Sequence, residues 1–253
     1  MIKTGLIGHG YWGKILESKL NILTDRRFIQ TSDNYDPEKF EEVDWVFIAT
    51  PANSHYRIVK DCIYKKVNVF VEKPFCTSSE EAKELITLAK ENNIKLCVDN
   101  VFLFKTELEP LKALNPEKIK FLWYKYGPFN DNLVNDLLYH DLYLLINNIG
   151  YREIEKLKIN IVEKDVLNFQ FSYGQTEVYI DYSRITPGIK TKSIFADHID
   201  INFDYNKEDS LLDFIQRAIT GDLDFDHLQN LNFQTITLIE IIVKQLTVNY
   251  HEF

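Results

Sequence analysis

Cysteine is scarce and poorly spaced: Cys62, Cys76 and Cys97 are the only three, an odd number with no CxxC pair. That excludes a disulfide scaffold and argues against a thiolate zinc site. The three are expected as buried thiols of a reducing compartment. Long apolar runs are also missing. No stretch approaches the roughly eighteen residues that a membrane-spanning helix needs. Positive charge is in deficit, with 29 Lys and Arg against 38 Asp and Glu and a net charge of −9. A general nucleic-acid surface is therefore excluded. A phosphorylated ligand is not, because the N–H groups of a helix N-terminus hold phosphate without net positive charge. The six histidines show no metal-ligand spacing, so no metal is expected. The opening MIKTGLIGHG has neither the apolar core nor the cleavage site of a secretory signal. A cytoplasmic protein without a membrane anchor is the expectation.

What is present falls into two halves. Short apolar strands alternate with helices up to about residue 100. Strands are expected at Ile2–Ile7, Phe28–Ser32, Trp45–Ala49, Val67–Val71 and Lys95–Val98, with helices at Tyr11–Leu20, Ser54–Lys65 and Ser78–Glu91. Ser78 and Glu81 stand at capping-box spacing before the apolar stripe Ala82, Leu85, Ile86 and Ala89. Such alternation predicts an α/β domain, a doubly wound parallel Rossmann sheet over 1–100. Beyond it, after a helix over Asn132–Asn147, period-two alternation takes over. Leu167, Phe169, Phe171 and Tyr173 form one apolar face, as do Val178, Ile180 and Tyr182, Leu157, Ile159 and Ile161, and Ile199, Ile201, Phe203 and Tyr205. Helices are expected at Leu211–Thr220 and Leu231–Val248. The second domain, 101–253, is thus an α+β unit on a largely antiparallel open sheet.

Gly8-His9-Gly10-Tyr11-Trp12-Gly13 is a GxGxxG between an expected strand and an expected helix, the context in which the pattern means a dinucleotide. Gly8 makes the tight turn, Gly10 lets backbone approach the pyrophosphate, and Gly13 lets helix pack on strand. Asp33, twenty residues after Gly13, is the candidate acid for the adenosine ribose, with Asp36 as its rival. An acid there favours NAD and leaves NADP as the alternative. His9 lies in a loop that works through its backbone, so its side chain is expected to point away.

Three further strings follow in order: Ala49-Thr50-Pro51 with His55, Glu72-Lys73-Pro74, and Asp136 with His140 and Asp141. Together with the glycine loop, this set resembles the Gfo/Idh/MocA oxidoreductases. The GYWG string is similar to the branch that contains nucleotide-sugar dehydrogenases. The resemblance implies a hydride transfer between a nicotinamide cofactor and a hydroxyl or carbonyl of a sugar, sugar nucleotide or polyol. It implies Lys73 at the reacting hydroxyl, with its peptide to Pro74 often cis, His140 as proton acceptor or donor, and Asp136 in support. Tyr11, Trp12, Thr50, Pro51, His55 and Glu72 would join the glycines and Asp33 around the cofactor. Departures are Tyr143, where many relatives carry an acid, and the segment Asp99–Phe104, where relatives often place an arginine-containing strand and the Phe and Leu here make a more apolar wall. A homodimer or higher homo-oligomer is implied as well, through the face of the second sheet that carries Tyr179 and Asp181. Two alternatives remain open: an inactive dinucleotide-binding sensor or scaffold, and an enzyme using NAD transiently in glycoside cleavage or epimerisation.

Overall fold

The computed structural model describes residues 1–112, 114–127, 133–203 and 209–249, without the side chains at 135 and 247–249. Two compact units emerge, Met1–Phe104 with Asp209–Ile236, and Lys105–Glu208 with Thr237–Phe253. The first is built on five parallel strands: β1 Lys3–Ile7, β2 Asp25–Gln30, β3 Trp45–Ile48, β4 Asn68–Val71 and β5 Leu96–Val98. Their order is β2-β1-β3-β4-β5, with the winding reversing between β1 and β3. Helices α1 Tyr11–Leu23, α2 Ala52–Tyr64 and α3 Ser79–Glu91 make the crossovers. Every residue of β3 is buried, as a strand covered on both faces requires. Strand β2 starts three residues before the expected Phe28 and ends at Gln30, short of Ser32. Pairing with β1 begins at Lys3↔Asp25 and closes at Ile7↔Gln30, because Arg26 and Arg27 extend the strand without any apolar signal.

The second unit carries a six-stranded sheet. Its strands are β6 Lys118–Lys125, β7 Ile154–Glu163, β8 Val166–Tyr173, β9 Thr176–Ser183, β10 Lys190–Ala196 and β11 Ile199–Asn202. The order β11-β10-β6-β9-β8-β7 is antiparallel throughout except for the parallel pair β6 and β9. Alternation is clean in β9, where Val178, Ile180 and Tyr182 are buried. Helix α4, Tyr139–Ile149, is entered through a π-helical turn, Val134–Leu138, and ends at Gly150 with φ +82. Asn132 of the expected helix and Asp204 and Tyr205 of the expected last strand lie outside the described residues. Strands β6 and β10 were not foreseen. Five lysines at Lys118, Lys120, Lys125, Lys190 and Lys192 hide their apolar phase.

A division at residue 100 misses one excursion. Helices α5 Ser210–Thr220 and α6 Phe225–Asn249 follow the second sheet, and the stretch Asp209–Ile236 belongs to the first unit. Phe214 of α5 explains the return. Its ring lies 5.4 Å from that of Phe70 on β4 and 4.4 Å from that of Phe104. Asn232 of α6 exchanges amide hydrogen bonds of 3.0 and 2.9 Å with Asn100, both fully buried. The parallel sheet therefore borrows cover from a segment more than a hundred residues downstream.

Candidate active site

The loop leaving β1 is shaped by three glycines with three different constraints. Gly8 has φ +93, and a Cβ there would stand 2.3 Å from the Ala49 carbonyl oxygen. A Cβ on Gly13 would stand 2.1 Å from the Gly8 carbonyl oxygen. Gly10 is different: a Cβ there would meet no heavy atom within 4 Å. Two glycines thus pack the loop against protein, and the third faces open space beside the start of α1. Gly10 is the N-cap of α1, and no side chain caps that end. Its first-turn N–H groups and the positive end of the helix dipole suit a pyrophosphate. Tyr11 and Trp12 stand exposed on that first turn, their rings edge to face at 5.4 Å. His9 turns back along the helix, its Nε2 2.8 Å from Glu17 Oε2, as the backbone role of the loop predicts.

The two acids after β2 differ. Asp36 is committed, its Oδ1 accepting the Glu38 N–H at 3.1 Å as the cap of a short 3-10 helix, Pro37–Glu42. Asp33 sits exposed in the turn Ser32–Asn34, three residues past the end of β2.

Behind the loop, β3 and β4 end side by side and deliver Thr50 and Lys73. His55, on the first turn of α2, is 1% exposed and ties these two ends together. Its Nε2 lies 2.7 Å from the Thr50 carbonyl oxygen and its Nδ1 2.8 Å from the Pro74 carbonyl oxygen. A neutral ring donates to one of them at a time. Burial outweighs both carbonyls and holds the His55 pKa below its usual value. The Ser54 hydroxyl donates to Thr50 Oγ1 at 2.7 Å, and Pro51 begins α2 as its N-cap. The Lys73–Pro74 peptide is cis. Lys73 is half-buried, whereas its neighbour Glu72 is 7% exposed. Burial first, and then the charge of Asp99, push the Glu72 carboxyl well above the usual carboxylate range. Burial likewise pushes Asp99 up to about 6, opposed by the Val101 N–H. Asp99 is absent from the candidates that the sequence offers. The signal for it was available: an acid directly after a fully buried strand, next to the Glu-Lys-Pro end.

The second unit holds the remaining candidates. Asp136, in the π-helical turn, accepts from Arg184 Nη2 at 2.5 Å, and the Arg184 side chain is 3% exposed. His140, at the start of α4, has Nδ1 3.3 Å from the Tyr143 hydroxyl and its ring 5.7 Å from that of Trp123. A shared face four residues apart was expected for an α-helix; the π turn breaks that phase between Asp136 and His140. Asp141 points into the core. Lys192 Nζ lies 2.8 Å from its Oδ1, and the Tyr182 hydroxyl donates to its Oδ2 at 2.6 Å. The Lys192 ammonium also sits 3.6 Å above the Trp123 ring. Arg184 and Lys192 were missed, although each continues the buried alternation of its strand, after Tyr182 and before Ile194. Among the described residues, no cluster of three His, Cys, Asp or Glu could hold a metal, and no helix is long and apolar enough to cross a membrane.

A parallel sheet with a glycine cradle at its switch point defines the first unit as a dinucleotide-binding Rossmann domain. Residues 26–100 match the family model GFO_IDH_MocA, described as oxidoreductase family, NAD-binding Rossmann fold. That similarity to the Gfo/Idh/MocA oxidoreductases is confined to the NAD-binding domain. The match begins after the glycine loop, so loop and family model point to NAD independently. A UDP-N-acetylglucosamine 3-dehydrogenase of Acidithiobacillus ferrooxidans is 25% identical over 126 residues, covering 47% of this chain and 40% of its own. The chain spans about two fifths of the length of the curated relatives it matches. The solved structure of that dehydrogenase superposes with a TM-score of 0.81 at 18% identity, over 95% of this chain and 96% of its own. The WlbA (WbpB) dehydrogenase from Thermus thermophilus, in complex with NAD and UDP-GlcNAcA, gives 0.81 at 14% identity, over 96% and 94%. These superpositions establish the fold of both units.

Proposed function

We propose that the protein is an NAD-dependent dehydrogenase or reductase acting on a carbinol of a sugar, with a nucleotide sugar as the favoured substrate class. One observation carries the reading: the uncapped start of α1 behind a glycine that faces open space, at the switch point of a parallel sheet. NAD, when bound, supplies the hydride acceptor or donor. Gly10 and the start of α1 would hold its pyrophosphate in the loop that Gly8 and Gly13 shape, Tyr11 and Trp12 would flank that loop, and Asp33 would meet the adenosine ribose. Thr50, Pro51, His55 and Glu72 shape the nicotinamide end. Lys73 Nζ holds the substrate oxygen as it gains negative charge. A ring nitrogen of His140 takes or returns the hydroxyl proton. Asp136, fixed by Arg184, orients the substrate. The nucleotide-sugar reading is supported by the glycan-nucleotide names of the dehydrogenases above, and the chain is proposed to work as a homo-oligomer in the cytoplasm.

Fluorescence titration with NADH and NADPH tests the cofactor, with saturable NADH binding expected and NADPH weaker. Reduction of NAD over a panel of UDP-sugars and free polyols tests the chemistry. Lys73→Met should abolish turnover and leave NADH affinity nearly intact. Binding without turnover on the whole panel would indicate a sensor. Turnover without net NAD reduction would indicate transient use of the cofactor. Light scattering should give a mass above the 29.8 kDa of one chain.

A further inference from the structure

Two buried carboxyl groups flank the lysine turn, and the chemistry above needs only one. Glu72 follows β4 and Asp99 follows β5, directly after the register pair Val71↔Val98. The Asp99 N–H donates to the Val71 carbonyl at 2.9 Å, holding the two strand ends together. The residues are 7% and 4% exposed, so water solvates neither carboxyl. As the next positions after that register pair, the two carboxyls leave side by side from adjacent strand ends. A carboxylate offers acceptors only, so two such groups buried together call for a proton on one of them. The surroundings say which. Asp99 Oδ1 accepts the Val101 N–H at 3.0 Å, as a carboxylate does. Glu72 Oε1 is buried with no hydrogen-bond partner, the state of an acid whose other oxygen carries the shared proton. The charged or titratable neighbours are few: Lys73 beside both carboxyls, and the Cys97 thiol of β5 next to Asp99.

We propose that Glu72 and Asp99 hold one proton between them at neutral pH, so that Asp99 is a positioning residue that sets a single negative charge, not two, against Lys73. Two ionised carboxylates at this depth would repel each other across a dry contact. One proton removes that repulsion and leaves the pair with a single negative charge. The pair titrates as a unit, and its apparent values belong to both groups. Its part in turnover rests on the role proposed for Lys73; the shared proton does not.

Infrared difference spectroscopy on the intact protein reads the proton directly. A carbonyl band of a protonated carboxylic acid should persist at neutral pH and grow about twofold in intensity as the pH falls through about 6. Glu72→Gln should remove the neutral-pH band, and Asp99→Asn should end its growth on acidification, because the one removes the acid and the other the group that titrates through about 6. Protein made with carboxyl-labelled glutamate should shift that band, which assigns the proton without any substitution. No acid band at neutral pH would overturn the proposal. So would a band that survives Glu72→Gln, or that labelled glutamate leaves in place. A protein that turns over sugars without this band would keep the dehydrogenase reading and lose the pair; a band without NADH binding would do the reverse.

Discussion

Three glycines share one loop, and substitution separates their roles. Gly10→Ala adds a methyl where nothing lies within 4 Å. Stability should stay within about 0.5 kcal/mol of the parent, while NADH affinity should fall about tenfold, or ~1.4 kcal/mol. Gly13→Ala drives a methyl to 2.1 Å from the Gly8 carbonyl and should destabilise the fold by about 1–3 kcal/mol. Urea denaturation beside NADH titration of both variants checks the contrast. A second residue-level prediction concerns Lys192, whose side chain is 1% exposed against an Asp141 side chain at 2%. Lys192→Met strands a buried carboxylate and should cost about 3–5 kcal/mol, read as a lower midpoint in the same denaturant. At this scale the sequence was legible wherever spacing carried the information. The glycine loop, Lys73 before proline and the outward turn of His9 followed from local order. Asp99 and Arg184 did not, because their partners lie in strands and turns far along the chain. The capping role of Asp36 shows only in the backbone.

Elements were read well where one physical rule acted alone. Helix α3 starts at Ser79 behind an N-cap Ser78 whose Oγ accepts the Glu81 N–H at 3.2 Å, the first half of the expected capping box. The Glu81 carboxylate accepts the Thr77 N–H at 2.9 Å in place of the N–H of Ser78. Ser78→Ala should therefore cost about 1 kcal/mol without touching NADH affinity, measurable as a shift in thermal midpoint with unchanged titration. The buried strands β3 and β4 were equally plain. Helix α4 was harder: an apolar stripe marks a helix without revealing that its first turn is π-helical. Strands β6 and β10 were hidden by lysines. Long amine stems cover apolar surface with the charge at the rim, so a lysine-rich strand reads as polar until its partner is known. Lys192 is the extreme case, drawn wholly inward by Asp141 and Trp123.

At the scale of the whole molecule, the two raised carboxyls give the fold a pH signature. Asp99 binds its proton more tightly folded than unfolded, from an ordinary 3.8 to about 6. Its contribution to stability is therefore complete below the ordinary value and is lost as pH rises through about 6. Asp99→Asn lacks this loss. Its thermal midpoint relative to wild type should rise between pH 5 and pH 7, the interval bracketing that value, as scanning calorimetry at both would show. An equal offset at both pH values would contradict it.

The downstream stretch that completes the first unit has a further consequence, for the order of synthesis. A ribosome that has released residues up to Phe104 has not yet made Phe214 or Asn232, which close over β4 and Asn100. The nascent parallel sheet must wait, partly uncovered, while the whole mixed sheet is translated. Exchanging the cofactor half between related genes then demands three junctions, near residues 104, 209 and 236, where a single splice would leave each product with a foreign lid.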